Sequence, residues 1–273
     1  MEPTPALLFG QVVHKLLLEP GTFGMEFAVA PNVDRRTKAG KETWEAFCAG
    51  SEGKTVVPFD VYDQARVMAD IALSNPTVEA MLEGAHEVPL FWTDPDTDVS
   101  CKCRLDAWYR GENGVPVIID YKTTTDASYR AFLKDVVTYG YYFQAAMYSE
   151  GVIHNGMCPR LIRGKPKKRW TKDPETGKRK YHTEIPETIV MCGEDGEILQ
   201  PRFVFIVQEK AEPYSINIFE MDTEFITAGY DKFRELIGTY VSCESTGFWP
   251  GYLGPFNEPN ILTLPVWLGR GEE

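Results

Sequence analysis

The chain has 273 residues, a mass of 30.9 kDa, 43% hydrophobic residues and a net charge of −12. No apolar run approaches the roughly 20 residues that a membrane-spanning helix needs, so we expect no membrane association. The stretch from Met1 to Pro5 lacks the basic start of a signal peptide, and six cysteines are scattered along the chain. These features favour a globular cytoplasmic protein with reduced thiols.

The acidic total hides one strongly basic segment. Between Arg160 and His182 lie ten basic and two acidic residues, a net charge of +8, which leaves −20 for the rest of the chain. Such a segment can bind phosphate groups, although a solvated hairpin or loop whose lysines only keep it soluble would have the same composition. The candidate DNA-binding residues within it are Arg163, Lys165, Lys167, Lys168, Arg169, Lys178, Arg179 and Lys180.

The amino-terminal third is predicted to be helical. Pro5 follows Thr4, and apolar residues recur at helical spacing as far as Leu18, which predicts a first helix. After a loop at 31–36, similar patterns predict helices at 41–48 and 60–73 and a further one that begins at Pro76.

From about Glu87 the pattern changes to that of strands. Three strands are predicted at 87–93, 99–109 and 115–123, joined by turn-rich connections as in a β-meander. Helices at 129–137 and 141–153 follow, then the basic segment with a turn at 173–177, strands at 202–208 and 214–220, and a helix at 223–243.

This order of elements predicts an α/β fold with a central mixed sheet flanked by helices. We expect a single domain over 1–273, with a core at about 5–245. The basic segment would be an insertion at about 160–182, and a proline-rich, irregular tail would occupy about 248–273.

The third predicted strand ends in two charged residues. The apolar run Val117–Ile119 leads into Asp120, and Lys122 follows after one intervening residue. Because side chains alternate along a strand, Asp120 and Lys122 should share one face while Tyr121 occupies the other. A strand-end salt bridge explains this pair. A metal-dependent phosphodiester-cleaving site explains it as well, with the carboxylate holding a cation and the lysine steadying the attacking water or the developing charge.

Three more residues can join Asp120 in a metal site. Asp106 lies in the preceding strand, and a tight hairpin can bring the two carboxylates together, where a divalent cation would relieve their repulsion. Glu87 opens the first strand of the meander, and His14 lies on the first helix. One imidazole, two or three carboxylates and a backbone carbonyl suit Mg²⁺ or Mn²⁺ better than zinc. Considered alone, His14 would be a packed helix residue and Glu87 a solvated one.

Gln144 and Tyr148 lie four residues apart on one face of a predicted helix. They are polar ends on an otherwise apolar helix and could reach the site or a DNA backbone. A buried tyrosine with one hydrogen bond is an equally ordinary explanation for Tyr148.

The order of these residues resembles that of the PD-(D/E)XK nuclease superfamily, in particular its RecB-like branch. The matching positions are Gly10-x-x-x-His14, Glu87, Arg104-x-Asp106, Asp120-Tyr121-Lys122-Thr123 and Gln144-x-x-x-Tyr148. The surrounding residues look like the C-terminal nuclease domain of RecE-type (exodeoxyribonuclease VIII-like) exonucleases, with further similar stretches at Phe91-Trp92, Phe203–Val207 and Trp249–Tyr252. The resemblance extends from Ala6 to about Trp267.

The resemblance implies a PD-(D/E)XK core and an Mg²⁺-dependent exodeoxyribonuclease in which Mn²⁺ can substitute. Such enzymes degrade linear double-stranded DNA from its ends, 5′ to 3′, and generate single-stranded DNA for recombination. It also implies a ring-shaped homo-oligomer that works beside a single-strand annealing protein in a bacterial or phage-infected cell.

The resemblance also assigns roles by motif position. The implied metal ligands are His14, Asp106, Asp120 and the backbone carbonyl of Tyr121, with Glu87 as a further acid near the same or a second metal. Lys122 would assist the nucleophilic water, and Gln144 and Tyr148 would orient Lys122 or the phosphate.

Two other functions stay open. A RecB-like nuclease could instead trim ends or cut particular DNA structures, and only an exonuclease would spare a covalently closed circle. A non-catalytic DNA-binding or partner-recruiting module would bind DNA without hydrolysing it in Mg²⁺ or Mn²⁺. The complete set of His14, Asp106, Asp120 and Lys122 disfavours that last alternative.

Overall fold

The structure is a computed structural model that describes residues 3–172, 179–190 and 196–251; at 170, 172 and 179–181 only the backbone is described. The α-helices are α1 (Pro5–Leu18), α2 (Phe23–Glu26), α3 (Lys38–Gly50), α4 (Phe59–Ser74), α5 (Pro76–Met81), α6 (Tyr129–Thr138), α7 (Tyr141–His154) and α8 (Thr223–Thr246). The helices predicted from the sequence all occur, with ends that differ by a few residues.

The strands include all five that the sequence predicted and several that it did not. They are β1 (Phe27–Val29), β2 (Thr55–Val57), β3 (Ala85–Thr93), β4 (Ser100–Arg110), β5 (Pro116–Thr124), β6 (Arg160–Arg163), β7 (Lys167–Lys172), β8 (Arg179–Glu184), β9 (Glu187–Val190), β10 (Glu197–Ile198), β11 (Arg202–Glu209) and β12 (Ile216–Glu220). The parallel pair β1–β2 was missed because three-residue strands leave no readable alternation.

A five-stranded mixed sheet forms the centre of the molecule, in the order β12-β11-β5-β4-β3. Strands β5 and β11 run parallel, with Arg202 opposite Val117 and Val207 opposite Lys122. The other three pairs are antiparallel. The predicted α/β fold, a central mixed sheet flanked by helices, is confirmed.

Two clusters of buried apolar residues cover the two faces of this sheet. On one face, α1 and α4 pack against Ile119 and Ile206. On the other face, α6, α7 and α8 pack against Ile118 and Phe205. Consecutive residues of β5 therefore belong to opposite clusters, as strand alternation requires, and charge is excluded from most of the strand.

Helix α1 is fixed at its start and along one side. The Thr4 side chain accepts the backbone N–H of Leu7, and Pro5 occupies the first turn, where its missing N–H costs nothing. Val12 and Val13 are fully buried in the cluster beneath the helix, and His14 follows them directly at the border of the buried stripe. The sequence of the helix therefore holds His14 half-buried at the edge of the sheet.

The basic segment has strands of its own. Strands β10, β6 and β9 form a small antiparallel sheet, and β7 and β8 form a hairpin. The chain returns from this region to the central sheet at the start of β11, which pairs with the Val117 end of β5. That point lies roughly 17 Å from Lys122, at about 3.3 Å per strand residue. The turn predicted at 173–177 lies outside the described residues.

Two other predictions concern the ends and surface of the chain. Within the described ranges, no helix is long and apolar enough to cross a bilayer. The tail predicted at about 248–273 falls almost wholly outside the described residues, which end at Gly251.

Candidate active site

The candidate site lies where β4 and β5 stop pairing. Their last ladder partners are Ala107 and Ile119, and beyond this point the Asp106 carboxylate accepts the backbone N–H of Tyr121 at 2.9 Å. Leu105 and Ala107 pack in opposite clusters although they are two residues apart, so the alternation of β4 changes phase at Asp106. Irregularities of this kind redirect a side chain, and here Asp106 turns toward α1.

Glu87 has an unusual backbone at the matching point of β3. The pairs His86–Ala107 and Val88–Leu105 flank it, which puts Glu87 opposite Asp106. Its φ of 52° lies in the left-handed region, where a residue other than glycine costs about 1 kcal/mol or more. This backbone accompanies a side chain whose two carboxylate oxygens reach His14 and Arg104, at 3.1 and 2.7 Å.

His14 bridges the two carboxylates. Its Nδ1 lies 3.1 Å from Glu87 Oε1, and its Nε2 lies 2.8 Å from Asp106 Oδ2. Burial alone would lower the pKa of His14, but the hydrogen bonds and charges of Asp106 and Glu87 raise it to about 10. The same ion pair holds the pKa of Asp106 below its ordinary value despite the opposing effect of burial. The position between Glu87 and Asp106 therefore favours a positively charged group.

Asp120 and Lys122 share one face of β5, as the sequence predicted. Their carboxylate and ammonium groups are in direct contact, and Asp120 is only 1% exposed. Burial raises the pKa of Asp120 to about 6, against the attraction of Lys122. Tyr121 points to the opposite face, where its hydroxyl donates a hydrogen bond to the fully buried Gln208. Gln208 in turn donates to the backbone carbonyl of Met68.

Helix α7 holds Asp120 through a side-chain hydrogen bond. Gln144 donates a hydrogen bond from Nε2 to Asp120 Oδ1 at 2.6 Å. Burial raises the pKa of Tyr148. Of the pair predicted on one helical face, Gln144 reaches the site through Asp120, whereas Tyr148 borders the cleft.

Lys122 is held by aromatic rings as well as by acids. Its Nζ lies 4.9 Å from the ring centre of Tyr141 and 6.0 Å from that of Phe205. Burial would lower the pKa of Lys122, but Asp120 and Asp106 raise it above its ordinary value. These contacts favour the ammonium form of Lys122, which can donate hydrogen bonds.

The donor set fits a divalent cation. His14, Glu87 and Asp106 each offer a ligand atom, and these atoms lie within 4.8 Å of one another. Glu87 Oε2 and Asp120 Oδ2 are buried and accept no aligned hydrogen bond, although each is near a cationic group. Unsatisfied carboxylate oxygens together with one imidazole suit Mg²⁺ or Mn²⁺. Asp120 is not a member of this three-residue cluster. Tyr121 contacts the cluster through its backbone N–H, which donates a hydrogen bond to Asp106.

These residues border an open cleft of about 1130 Å³. The cleft contains His14, Glu87, Asp106, Lys122 and Tyr148 on its walls, and Asp120 lies behind them. The size and openness of the cleft suit an extended substrate rather than an enclosed small molecule.

The predicted DNA-binding residues lie elsewhere. Arg163 on β6 pairs with Glu187 and Glu197, and Arg169 on β7 pairs with Glu184. Lys165, Lys167 and Lys168 are exposed, and no described member of this set borders the cleft. Lys178 lies outside the described residues, and at Arg179 and Lys180 only the backbone of β8 is described.

The sequence did not predict a role in the site for Arg104 or Tyr141. Arg104 was noted only as part of a motif, yet its Nε contacts Glu87 and its side chain borders the cleft. Alternation could have found it, since it is two residues before Asp106 on a strand. Tyr141 had no readable signal, because its contact with Lys122 depends on how α7 crosses the sheet.

A protein-family model for a "PDDEXK-like domain of unknown function (DUF3799)" matches residues 1–157 of the chain. This range contains the cleft residues of α1, β3, β4, β5, α6 and α7, and it ends before the basic segment. Among curated proteins, none matches the chain.

A solved structure from Eubacterium rectale, described as "Putative exonuclease", has the same fold. It superposes with a TM-score of 0.53 at 14% identity, over 97% of this chain and 78% of the other. At this identity the likeness concerns the fold alone.

Proposed function

We propose that this chain, which belongs to the PDDEXK-like family, is a divalent-cation-dependent nuclease that cleaves double-stranded DNA. The observation that carries the proposal is the convergence of Asp106, Asp120 and Lys122 from two neighbouring strands with His14 and Glu87 at an open cleft. A strand-end salt bridge would need only Asp120 and Lys122, and it leaves the other three residues unexplained.

His14, Glu87 and Asp106 are the residues that would hold Mg²⁺ or Mn²⁺, and Asp120 and the Tyr121 carbonyl are proposed as additional ligands. The bound ion would polarise the phosphate and activate water for attack. Protonated His14 places a positive charge between Glu87 and Asp106, where the cation would also be bound. Cation binding there should therefore release the proton of His14.

Lys122 would stabilise the negative charge that develops on the phosphate oxygens. Its ammonium is fixed by Asp120 on one side and by the Tyr141 ring on the other, so its position costs little reorganisation during the reaction. Asp120 accepts a hydrogen bond from Gln144 and contacts the Lys122 ammonium, so it would hold that ammonium in place. Gln144 would in turn keep Asp120 in place, and Tyr148, which borders the cleft, would contact the phosphate.

The basic segment would contact the DNA backbone away from the cut. Its attachment lies roughly 17 Å from Lys122, about five base pairs of duplex at about 3.4 Å each. Lys165, Lys167 and Lys168 are exposed, and none of them forms an ion pair with another residue of the described ranges. This supports a polynucleotide rather than a single nucleotide as the substrate, because only an extended chain would reach both regions.

We further propose that the enzyme is an exodeoxyribonuclease that works from DNA ends, 5′ to 3′, and generates single strands for recombination. The RecE-like order of motifs supports this reading. A ring-shaped homo-oligomer, an annealing partner protein and a cytoplasmic setting in a bacterial or phage-infected cell belong to the same proposal.

The test uses one duplex in two forms, linear with a label at either the 5′ or the 3′ end, and covalently closed circular. With Mg²⁺ we expect progressive loss of the linear form, none with a chelator, and an intact circle. Early release of the 5′ label would give the polarity. Cleavage of the circle would replace the exonuclease by an endonuclease, and absence of cleavage in both Mg²⁺ and Mn²⁺ would overturn the proposal.

A further inference from the structure

Two tyrosines at the junction of α6 and α7 border the cleft. The ring centres of these residues, Tyr139 and Tyr141, are 5.7 Å apart. Tyr141 lies against Lys122, so the aromatic pair extends outward from the proposed catalytic ammonium. Tyr139 is the outer member and is 66% exposed.

The backbone holds Tyr139 at the mouth of the cleft. It terminates α6, where its N–H bonds to the carbonyl of Asp135 at 2.8 Å. Gly140 follows with a φ of 70°, a conformation that favours glycine and turns the chain directly into α7. Two helices therefore fix the backbone position of an exposed tyrosine.

We propose that Tyr139 is a stacking platform for a nucleobase of the strand whose phosphate enters the site. The inference rests on the proposed nuclease function and specifies its substrate as a strand with an unpaired, accessible base at this position. Stacking on an aromatic ring is tolerant of sequence because every base has a π-face. An intact, fully stacked duplex would offer no such base face.

The distance from Lys122 limits which nucleotide Tyr139 can contact, and charge favours a base over a phosphate there. The two distances in the series Tyr139–Tyr141–Lys122 put the Tyr139 ring at most about 11 Å from Lys122 Nζ. That is at most roughly three nucleotide steps of about 3.4 Å each. Asp135 borders the same cleft, and its carboxylate would repel a phosphate but can accept hydrogen bonds from base amino groups.

The experiment measures binding without cleavage. Duplexes with a three-nucleotide single-stranded end carry 2-aminopurine at each of those positions in turn, and Ca²⁺ replaces Mg²⁺. The variants are Tyr139→Ala, Tyr139→Trp and the control Tyr129→Ala, which removes an equally exposed tyrosine of α6 outside the cleft (68% exposed). Thermal melting of each variant checks its folding.

Stacking in wild type should quench 2-aminopurine at one position. We expect Tyr139→Ala to abolish this quenching and to weaken binding roughly tenfold or more. Tyr139→Trp and Tyr129→Ala should behave as wild type. An abasic nucleotide at the quenched position should weaken wild type by the same factor and should not weaken Tyr139→Ala further.

Quenching that persists in Tyr139→Ala, or an abasic penalty of equal size in both proteins, would overturn the stacking role. Cleavage by wild type in Mg²⁺ is scored separately. If the Tyr139 effect is found while wild type never cleaves, stacking stands and the nuclease proposal fails. If Tyr139→Ala matches Tyr129→Ala while wild type cleaves, only the stacking role is lost.

Discussion

Charged residues at the cleft and in the basic segment differ in how far they are exposed to solvent. At the cleft, Asp120 is buried and Lys122 is largely buried, and both contact specific partners. In the segment, Lys167 and Lys168 are exposed, and the pairs formed by Arg163 are exposed as well. Buried charges interact strongly and in one geometry, whereas exposed charges are screened and mobile.

The contrast separates two tasks. Fixed charges can act on one bond at one place, which is what hydrolysis requires. Solvated charges can attract a polyanion from any direction and contribute affinity that salt removes. The family match follows the same division, since it covers the cleft residues except Lys210 and ends at residue 157, before the segment begins.

The largest expected effect comes from removing the buried charge pair. Lys122→Met and Asp120→Asn should each lower the cleavage rate by at least about 100-fold, because a positioned charge is lost. Lys122→Met also leaves a buried carboxylate without its ammonium, a change that costs about 3–5 kcal/mol where the acid stays ionised. Single-turnover cleavage of labelled duplex measures the effect.

The double variant Asp120→Asn/Lys122→Met is the matched control for folding, since it removes both charges together. It should melt near wild type and still be inactive. Cleavage at the wild-type rate by any of these variants would show that the fixed charges at the cleft are not required for the reaction.

A smaller effect is expected at the proposed cation cluster. Glu87→Gln should weaken Mn²⁺ binding by about 10- to 100-fold, because one carboxylate of the three-residue group becomes neutral. Titration calorimetry with Mn²⁺ measures this directly. Glu83→Gln removes a nearby exposed acid outside the cluster and should leave the affinity unchanged; equal losses in the two variants would point to general charge rather than a site.

The segment should respond to salt and not to the chemical step. The double substitution Lys167→Ala/Lys168→Ala should reduce the slope of log affinity against log salt by about 2, with an unchanged rate at saturating DNA. Lys38→Ala/Lys41→Ala on α3 removes the same charge from another exposed surface and should have little effect. A fall in the saturated rate would mean that the segment belongs to the active site after all.

The smallest expected effect is a pH dependence of stability in the presence of chelator. The pKa of His14 rises from 6.5 to about 10 on folding, so its protonation stabilises the fold fully below pH 6.5, and the contribution is lost as the pH rises toward 10. The melting temperature of wild type should therefore exceed that of His14→Gln at pH 6 by more than at pH 9.5. An equal difference at both values would show that the imidazole is not ion-paired with Asp106 and Glu87.

Sequence patterns predicted the parts of this molecule that depend on local periodicity. The bounds of α1 and the shared face of Asp120 and Lys122 follow from helix and strand repeats. The phase change at Asp106 and the left-handed Glu87 do not, because they arise from pairing between strands distant in sequence. The strands of the basic segment were hidden by their lysine-rich composition, which weakens the apolar alternation on which strand prediction depends.

The bond between the Asp106 carboxylate and the Tyr121 N–H joins β4 to β5 where their ladder ends. A side chain thereby replaces a rung of the sheet, and one residue serves both as a candidate cation ligand and as a structural clasp. Asp106→Asn would keep an acceptor for the clasp while weakening the ligand, whereas Asp106→Ala would remove both. An aspartate at this position is therefore compatible with an inactive relative, and Lys122 is the better residue by which to judge whether a similar protein can cut DNA.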